Sequence, residues 1–147
     1  MEWWSMKQSH KLSDALHILS YIALNQEEMT KISSQTIADS VGTNPGLVRR
    51  LMSNLSKAGL LLTKVGAAKP QLAKEPKDIS FYDVFEAVEG DGLLKVDEGT
   101  NPDCAIGNSV PRVLPGFYQR ITQAAFNEMR AISLQDMLDE LEASLKV

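Results

Sequence analysis

Between Thr43 and Lys57 the side chains able to make hydrogen bonds fall in a spaced pattern. Thr43 and Asn44 come first, Gly46 follows, and Arg49, Arg50, Ser53 and Lys57 come after it. At 3.6 residues per turn, Gly46, Arg49, Arg50, Ser53 and Lys57 share one side of a helix. A guanidinium is a planar fork of donors that can bond guanine O6 and N7 together, whereas an ammonium or a serine hydroxyl more often holds a phosphate oxygen. Short polar groups ahead of the arginines let the first half of such a helix approach base edges. The chemistry implied is recognition of duplex nucleic acid. Arg49 and Arg50 are both candidates for the base contact.

The charge distribution agrees. From Thr43 to Lys74 the chain carries Arg49, Arg50, Lys57, Lys64, Lys69 and Lys74, and no acidic residue. The whole chain has a formal net charge of −4, so this basic window sits on an acidic body. A local positive segment of this kind attracts a polyanion even when the total charge is negative. A plain solvated face is the alternative reading of the same residues.

Other chemistries find little support. There is no phosphate-binding loop, and no serine or cysteine nucleophile is spaced with histidine and carboxylate as hydrolysis needs. His10 and His17 lie seven apart and share a helix face, but no third ligand accompanies them, so they read as structural or surface residues. The acidic pairs Glu27-Glu28 and Asp97-Glu98 read as solvated loop charges. We expect no enzyme and no metal site. The single cysteine, Cys104, excludes an intrachain disulfide and fits a reducing compartment. No apolar run reaches the roughly 18 residues of a membrane helix, and the start does not read as a secretory signal, so a cytoplasmic protein off the membrane is expected. Met1 to Met6 shows no periodicity, and Trp3 and Trp4 have no assigned role.

The elements that position the arginines are clearly punctuated. Ser9 to Leu24 is an amphipathic helix, with Leu12, Ala15, Leu16, Leu19 and Ala23 at helical spacing. Ser34 is the expected cap of a short helix over Gln35 to Ser40, and Gly42 fits its left-handed end. Thr43 or Asn44 caps the next helix, and Pro45 occupies its first position. That helix runs from Pro45 to Ala58 and buries Val48, Leu51, Met52 and Leu55. Two helices with a tight turn between them form a helix-turn-helix. Leu60 to Val65 and Gln71 to Lys74 are the expected strands of a hairpin, the wing, from which Lys64, Lys69 and Lys74 reach phosphates.

Ser80 caps a helix over Phe81 to Glu89 that ends at Gly90. Leu93 to Val96 is a short strand or extended piece, and Glu98 to Asn108 is a loop holding Cys104. A long helix follows from Ser109 to about Ala131, with Val113, Phe117, Ile121, Ala124, Ala125 and Met129 apolar. Pro111 and Pro115 interrupt it, since an interior proline costs about 3 kcal/mol, and the helix is expected to begin properly only near Pro115. Ser133 caps the last helix, Leu134 to Leu145. The expected fold is mainly α with a small β-hairpin (α+β). Residues 7–90 form a winged helix-turn-helix, and residues 91–147 form a loop and dimerisation helices. Two apolar helices beyond a complete winged helix need a surface to cover, and a symmetric dimer on a palindromic site provides one.

The sequence resembles the Rrf-two family of bacterial winged-helix transcriptional regulators. The resemblance rests on ALHILSYIAL, IADSVGTNPGLVRRLMSNLSKAGLL, LAKEPKDISFYDVFEAVEG and NPDCAIG, and it covers nearly the whole chain from about Lys7. It implies a homodimer that binds double-stranded operator DNA and represses transcription. The family's cluster-binding members place three cysteines before the long helix, and only the last is matched, by Cys104. KVDEGTNPD lacks the other two, and one thiolate does not supply the ligand set of an iron–sulfur cluster, so no cofactor is expected. Cys104 is either a structural thiol or a thiol sensor; a sensor needs exposure and a lowered pKa, and Asp103 beside it is expected to raise that pKa. A winged-helix protein-interaction module without DNA binding is the alternative function.

Overall fold

The structure, a computed structural model, describes residues 9–26, 32–63, 69–90 and 92–146. Among these residues, six α-helices and a two-stranded sheet follow in order: α1 (Lys11–Leu24), α2 (Ser34–Val41), α3 (Pro45–Lys57), β1 (Leu61–Leu62), β2 (Gln71–Leu72), α4 (Phe81–Val88), α5 (Ala105–Ala131) and α6 (Leu134–Leu145). A short 3-10 turn, Pro76–Asp78, precedes α4. Met1 to Met6, Glu27-Glu28, Lys64 and the first part of the wing tip lie outside the described residues.

One core joins almost all of these elements. Ile18, Leu19 and Ile22 of α1 are buried with Ile37 of α2, Val48, Leu51 and Leu55 of α3, Val84 and Val88 of α4, and Leu134 and Leu138 of α6. Each such aliphatic side chain contributes about 1.5–3 kcal/mol by leaving water. The core spans both sides of residue 90, because α6 packs back on α1 and on the 3-10 turn.

The helix-turn-helix is built as its punctuation predicts, with one shift. Ser33, not Ser34, caps α2: its Oγ accepts from the Thr36 N–H at 3.1 Å, and the Ser33 N–H donates to Thr36 Oγ1 at 3.0 Å. Ser33 has the extended backbone a cap requires, and Thr36 three residues on completes the reciprocal pair, so the helix begins one residue early. Gly42 ends α2 at φ 83, a left-handed conformation that costs glycine little. Asn44 then caps α3 by accepting from the Leu47 N–H at 2.9 Å, with Pro45 in the first turn.

Among the described residues of the wing, Leu61↔Leu72 and Leu62↔Gln71 pair as strands, Thr63 does not, and the Ala73 N–H donates to the Leu60 carbonyl beside them. Leu93 to Val96 forms no strand.

The largest revision concerns α5. It begins at Ala105, not at Ser109 or near Pro115, and carries Pro111 and Pro115 inside it. Pro111 cannot donate to the carbonyl four residues earlier, that of Gly107. The Thr100 hydroxyl donates to that carbonyl instead. The preceding loop therefore supplies a partner that the helix lacks. α5 is fastened to the body near its far end: Phe126 packs edge-on against Tyr82 at 5.0 Å and against Phe85 at 5.5 Å, and Arg130 lies 4.0 Å over the Tyr82 ring. No residue of this 27-residue helix is buried.

Candidate nucleic-acid interface

α3 turns one side to the core and the other outward. Val48, Leu51 and Leu55 are buried, while Asn44, Gly46, Arg49, Arg50, Ser53 and Lys57 are exposed and Thr43 is half-buried. The structure thus brings the predicted reading residues together on one outward side of one helix. Neither guanidinium makes a hydrogen bond or ion pair among the described residues. Arg49, Ser53 and Lys57 also form one wall of a groove of about 440 Å³, faced by Ser34 at the start of α2 and Thr63 beyond β1. Ser34 and Thr63 were missed as groove residues, because neither lies on the helix that carries the pattern.

Two of the predicted residues have structural work beside any contact with DNA. The Oδ1 of Asn44 is engaged as the α3 cap, which leaves its amide donors outward. Gly46 sits against that cap: a Cβ there would meet Asn44 Oδ1 at 3.1 Å. A small residue at 46 keeps the cap in place.

The wing residues are distributed differently. Lys64 lies outside the described residues. The ammonium of Lys69 donates to the carbonyls of Asn25 at 3.3 Å and Gln26 at 3.4 Å, at the C-terminal end of α1. A cation is favoured there by the helix dipole, and it ties the base of the wing to the scaffold. Lys74 is exposed.

Cys104 lies apart from this face. It is exposed and forms the N-cap of α5. Backbone N–H groups of Gly107 and Ile106 hold its thiol below the ordinary value of 9.0. The expectation that Asp103 raises this pKa is overturned in direction. That reading treated residue 104 as loop, whereas the backbone donors of the first turn of α5 stabilise the thiolate.

An outward arginine-bearing helix after a tight turn, backed by a short antiparallel hairpin, defines a winged helix-turn-helix DNA-binding protein. The Rrf2 family model, described as "Iron-dependent Transcriptional regulator", matches residues 8–140, and this chain belongs to that family of regulators, which are not enzymes. YwnA of Bacillus subtilis (strain 168), named as a candidate HTH-type transcriptional regulator, is 39% identical over 132 residues, 89% of this chain and 96% of its own. A crystal structure of a candidate DNA-binding protein is 35% identical with a TM-score of 0.70, covering 87% of this chain and 98% of that one. The global cysteine regulator CymR of B. subtilis is 26% identical with a TM-score of 0.65, covering 92% and 98%. IscR of T. potens is 25% identical with a TM-score of 0.66, covering 96% and 92%. The chain is a DNA-binding regulator.

The family's description as iron-dependent can be set against the donor set. The loop before α5 offers the single exposed thiol of Cys104, and no three His, Cys, Asp or Glu side chains among the described residues converge as metal ligands. These residues do not fit an iron–sulfur cluster. Among the described residues no helix is long and apolar enough to cross a membrane.

Proposed function

We propose that this protein is a homodimeric repressor that reads a palindromic operator with α3. The outward, unpaired Arg49 and Arg50 on the side of α3 opposite the core carry this reading. One of the two reads guanine, while Lys57, Ser53 and Thr43 hold phosphates, with Asn44 and Gly46 at the closest approach. Lys64 reaches the backbone from the wing. Lys69 joins it only if it releases the α1 carbonyls; held there, it sets the angle of the wing.

The dimer reading rests on α5. Val113, Phe117 and Ile121 recur at spacings of four, and each is more than half exposed. A stripe of large apolar side chains along a 27-residue helix has the form of a two-fold interface, and a second copy of the helix covers it. Two α3 helices related by that axis meet successive major grooves about 34–36 Å apart. Cys104 at the start of α5 is our candidate thiol sensor, being exposed and held toward the thiolate.

The test is fluorescence anisotropy with the DNA upstream of the protein's own gene, set against a scrambled duplex at several salt concentrations. Saturable, sequence-selective binding that weakens steeply with salt is expected. Equal binding to both duplexes would overturn the operator reading. A reporter placed behind that sequence should fall when the protein is expressed; a rise would make it an activator.

A further inference from the structure

A second concavity lies away from the DNA face, at the seam of α1, α2 and α6. Its volume is about 560 Å³, within the roughly 300–1,000 Å³ range of small-molecule sites. His17, Ser20 and Tyr21 of α1, Ser40 of α2, and Met137 and Leu141 of α6 are among the residues that line it. No Asp, Glu, Lys or Arg lines it, although such residues make up 23% of the chain. The side toward α6 is apolar. The opposite side is polar: His17 Nε2 and Ser40 Oγ share a hydrogen bond of 2.8 Å, with the Tyr21 side chain on the same helix. Ser20 is buried, and its one hydroxyl proton is offered to the Leu16 carbonyl at 2.8 Å and to Met137 Sδ at 3.7 Å.

We propose that this cavity binds a neutral ring compound bearing one hydroxyl or carbonyl, and that its occupancy changes the affinity of the protein for DNA. An uncharged wall disfavours ions, because a charge taken from water there meets no opposite charge. A thioether and leucines suit a flat apolar ring, and methionine adapts to its outline. The His17–Ser40 pair can open to take the polar group, since a hydroxyl or carbonyl replaces one member of that bond. Ser40 stands in the last turn of α2, two residues before Gly42, the turn that aims α3. Met137 and Leu141 belong to α6. A bound ring therefore touches both the helix-turn-helix and the C-terminal helix at once. The coupling to DNA rests on the function proposed above; the binding does not.

The probe is 1-naphthol, titrated by calorimetry into the full-length protein without DNA. One site per chain is expected. Ser40→Ala should weaken it about fivefold by removing one hydrogen bond, and Leu141→Trp about tenfold or more by filling the apolar side. If Leu141→Trp does not fold, His17→Phe replaces it as the second variant. Absence of saturable binding to the wild type overturns the site, as does binding that Ser40→Ala and the folded second variant leave unchanged. Binding that is lost only when the protein dimerises overturns it in favour of a surface between copies. A separate anisotropy titration reads the coupling. An operator affinity shifted more than about threefold by saturating 1-naphthol, and unshifted in Ser40→Ala, supports an effector site. An unchanged affinity overturns the coupling and leaves the pocket standing. Failure to bind DNA with or without 1-naphthol overturns the operator reading alone, because the calorimetry needs no DNA.

Discussion

The Thr100 hydroxyl donates to the Gly107 carbonyl at 2.5 Å, replacing the bond that Pro111 cannot make. Gly107 also packs against the same loop so closely that a Cβ there would lie 2.6 Å from the Asn101 carbonyl oxygen. Loop and helix start therefore form one unit. We expect Thr100→Val to destabilise the protein by about 1–3 kcal/mol, leaving a carbonyl without its donor. Gly107→Ala should cost a similar about 1–3 kcal/mol by forcing the loop away. Urea unfolding measures both, and hydrogen exchange should show the loss confined to the first turns of α5. Exchange that rises equally throughout the chain would count against this local account.

The same unit sets the chemistry of Cys104. Backbone donors from Gly107 and Ile106 lower its pKa from 9.0, so its alkylation rate should reach half-maximum below pH 9.0. The folded chain then binds fewer protons at this thiol than the unfolded chain between the two values. Any contribution to stability appears as pH rises through that window and is lost as pH falls through the folded value. Gly107→Ala should move the alkylation midpoint back up. An unmoved midpoint would show that the packing of Gly107 against the loop does not control the thiol.

Arg49→Ala and Arg50→Ala separate base reading from phosphate binding. The variant that loses a guanine contact should cost about 1–3 kcal/mol and relax selectivity at one base pair, while loss of a phosphate contact weakens every sequence alike. Both residues are exposed, so the melting temperature should hold. If operator binding survives in both variants, α3 is not read through its arginines.

Phe117 lies on the apolar stripe of α5 and supports no core contact. Phe117→Glu should leave the helical content intact and shift the protein to monomer in sedimentation, since like charges would meet across a two-fold axis. Operator affinity should fall with it, because two half-sites no longer bind together. A wild-type protein that sediments as monomer at micromolar concentration would falsify the dimer reading.

Ser80 and Ser133 cap α4 and α6, and each cap is reciprocated by the third residue of its helix, Asp83 and Asp136. They also face one another in an antiparallel bridge, with the Phe81 N–H on the Ile132 carbonyl and the Leu134 N–H on the Ile79 carbonyl. Ser80→Ala and Ser133→Ala should each cost about 1 kcal/mol. Because the caps share one bridge, the double variant should deviate from the sum by about 0.5 kcal/mol or more. Thermal melts of the four proteins give that number, and strict additivity would mean the bridge transmits nothing.

The sequence by itself determined the helix-turn-helix. Gly42 and Pro45 act through their own backbones and a cap at Thr43 or Asn44 through its side chain, all within a few residues, and the spacing of Val48, Leu51 and Leu55 fixed which side of α3 faces inward. With that side fixed, Arg49 and Arg50 had to face outward. Ser80 and Ser133 were legible as caps for the same local reason. The tertiary structure decided what depended on partners distant in sequence or hidden by a local rule. Pro111 reads as a helix breaker until Thr100 is seen to supply the missing donor. Cys104 reads as a loop thiol beside a carboxylate until the start of α5 is placed at Ala105. Lys69 reads as one more cation of the wing until the carbonyls that end α1 are found beside it. Hydrogen bonding within a turn is written in neighbouring residues, whereas the partner of a group left over by such a turn is chosen only when the chain folds back on itself.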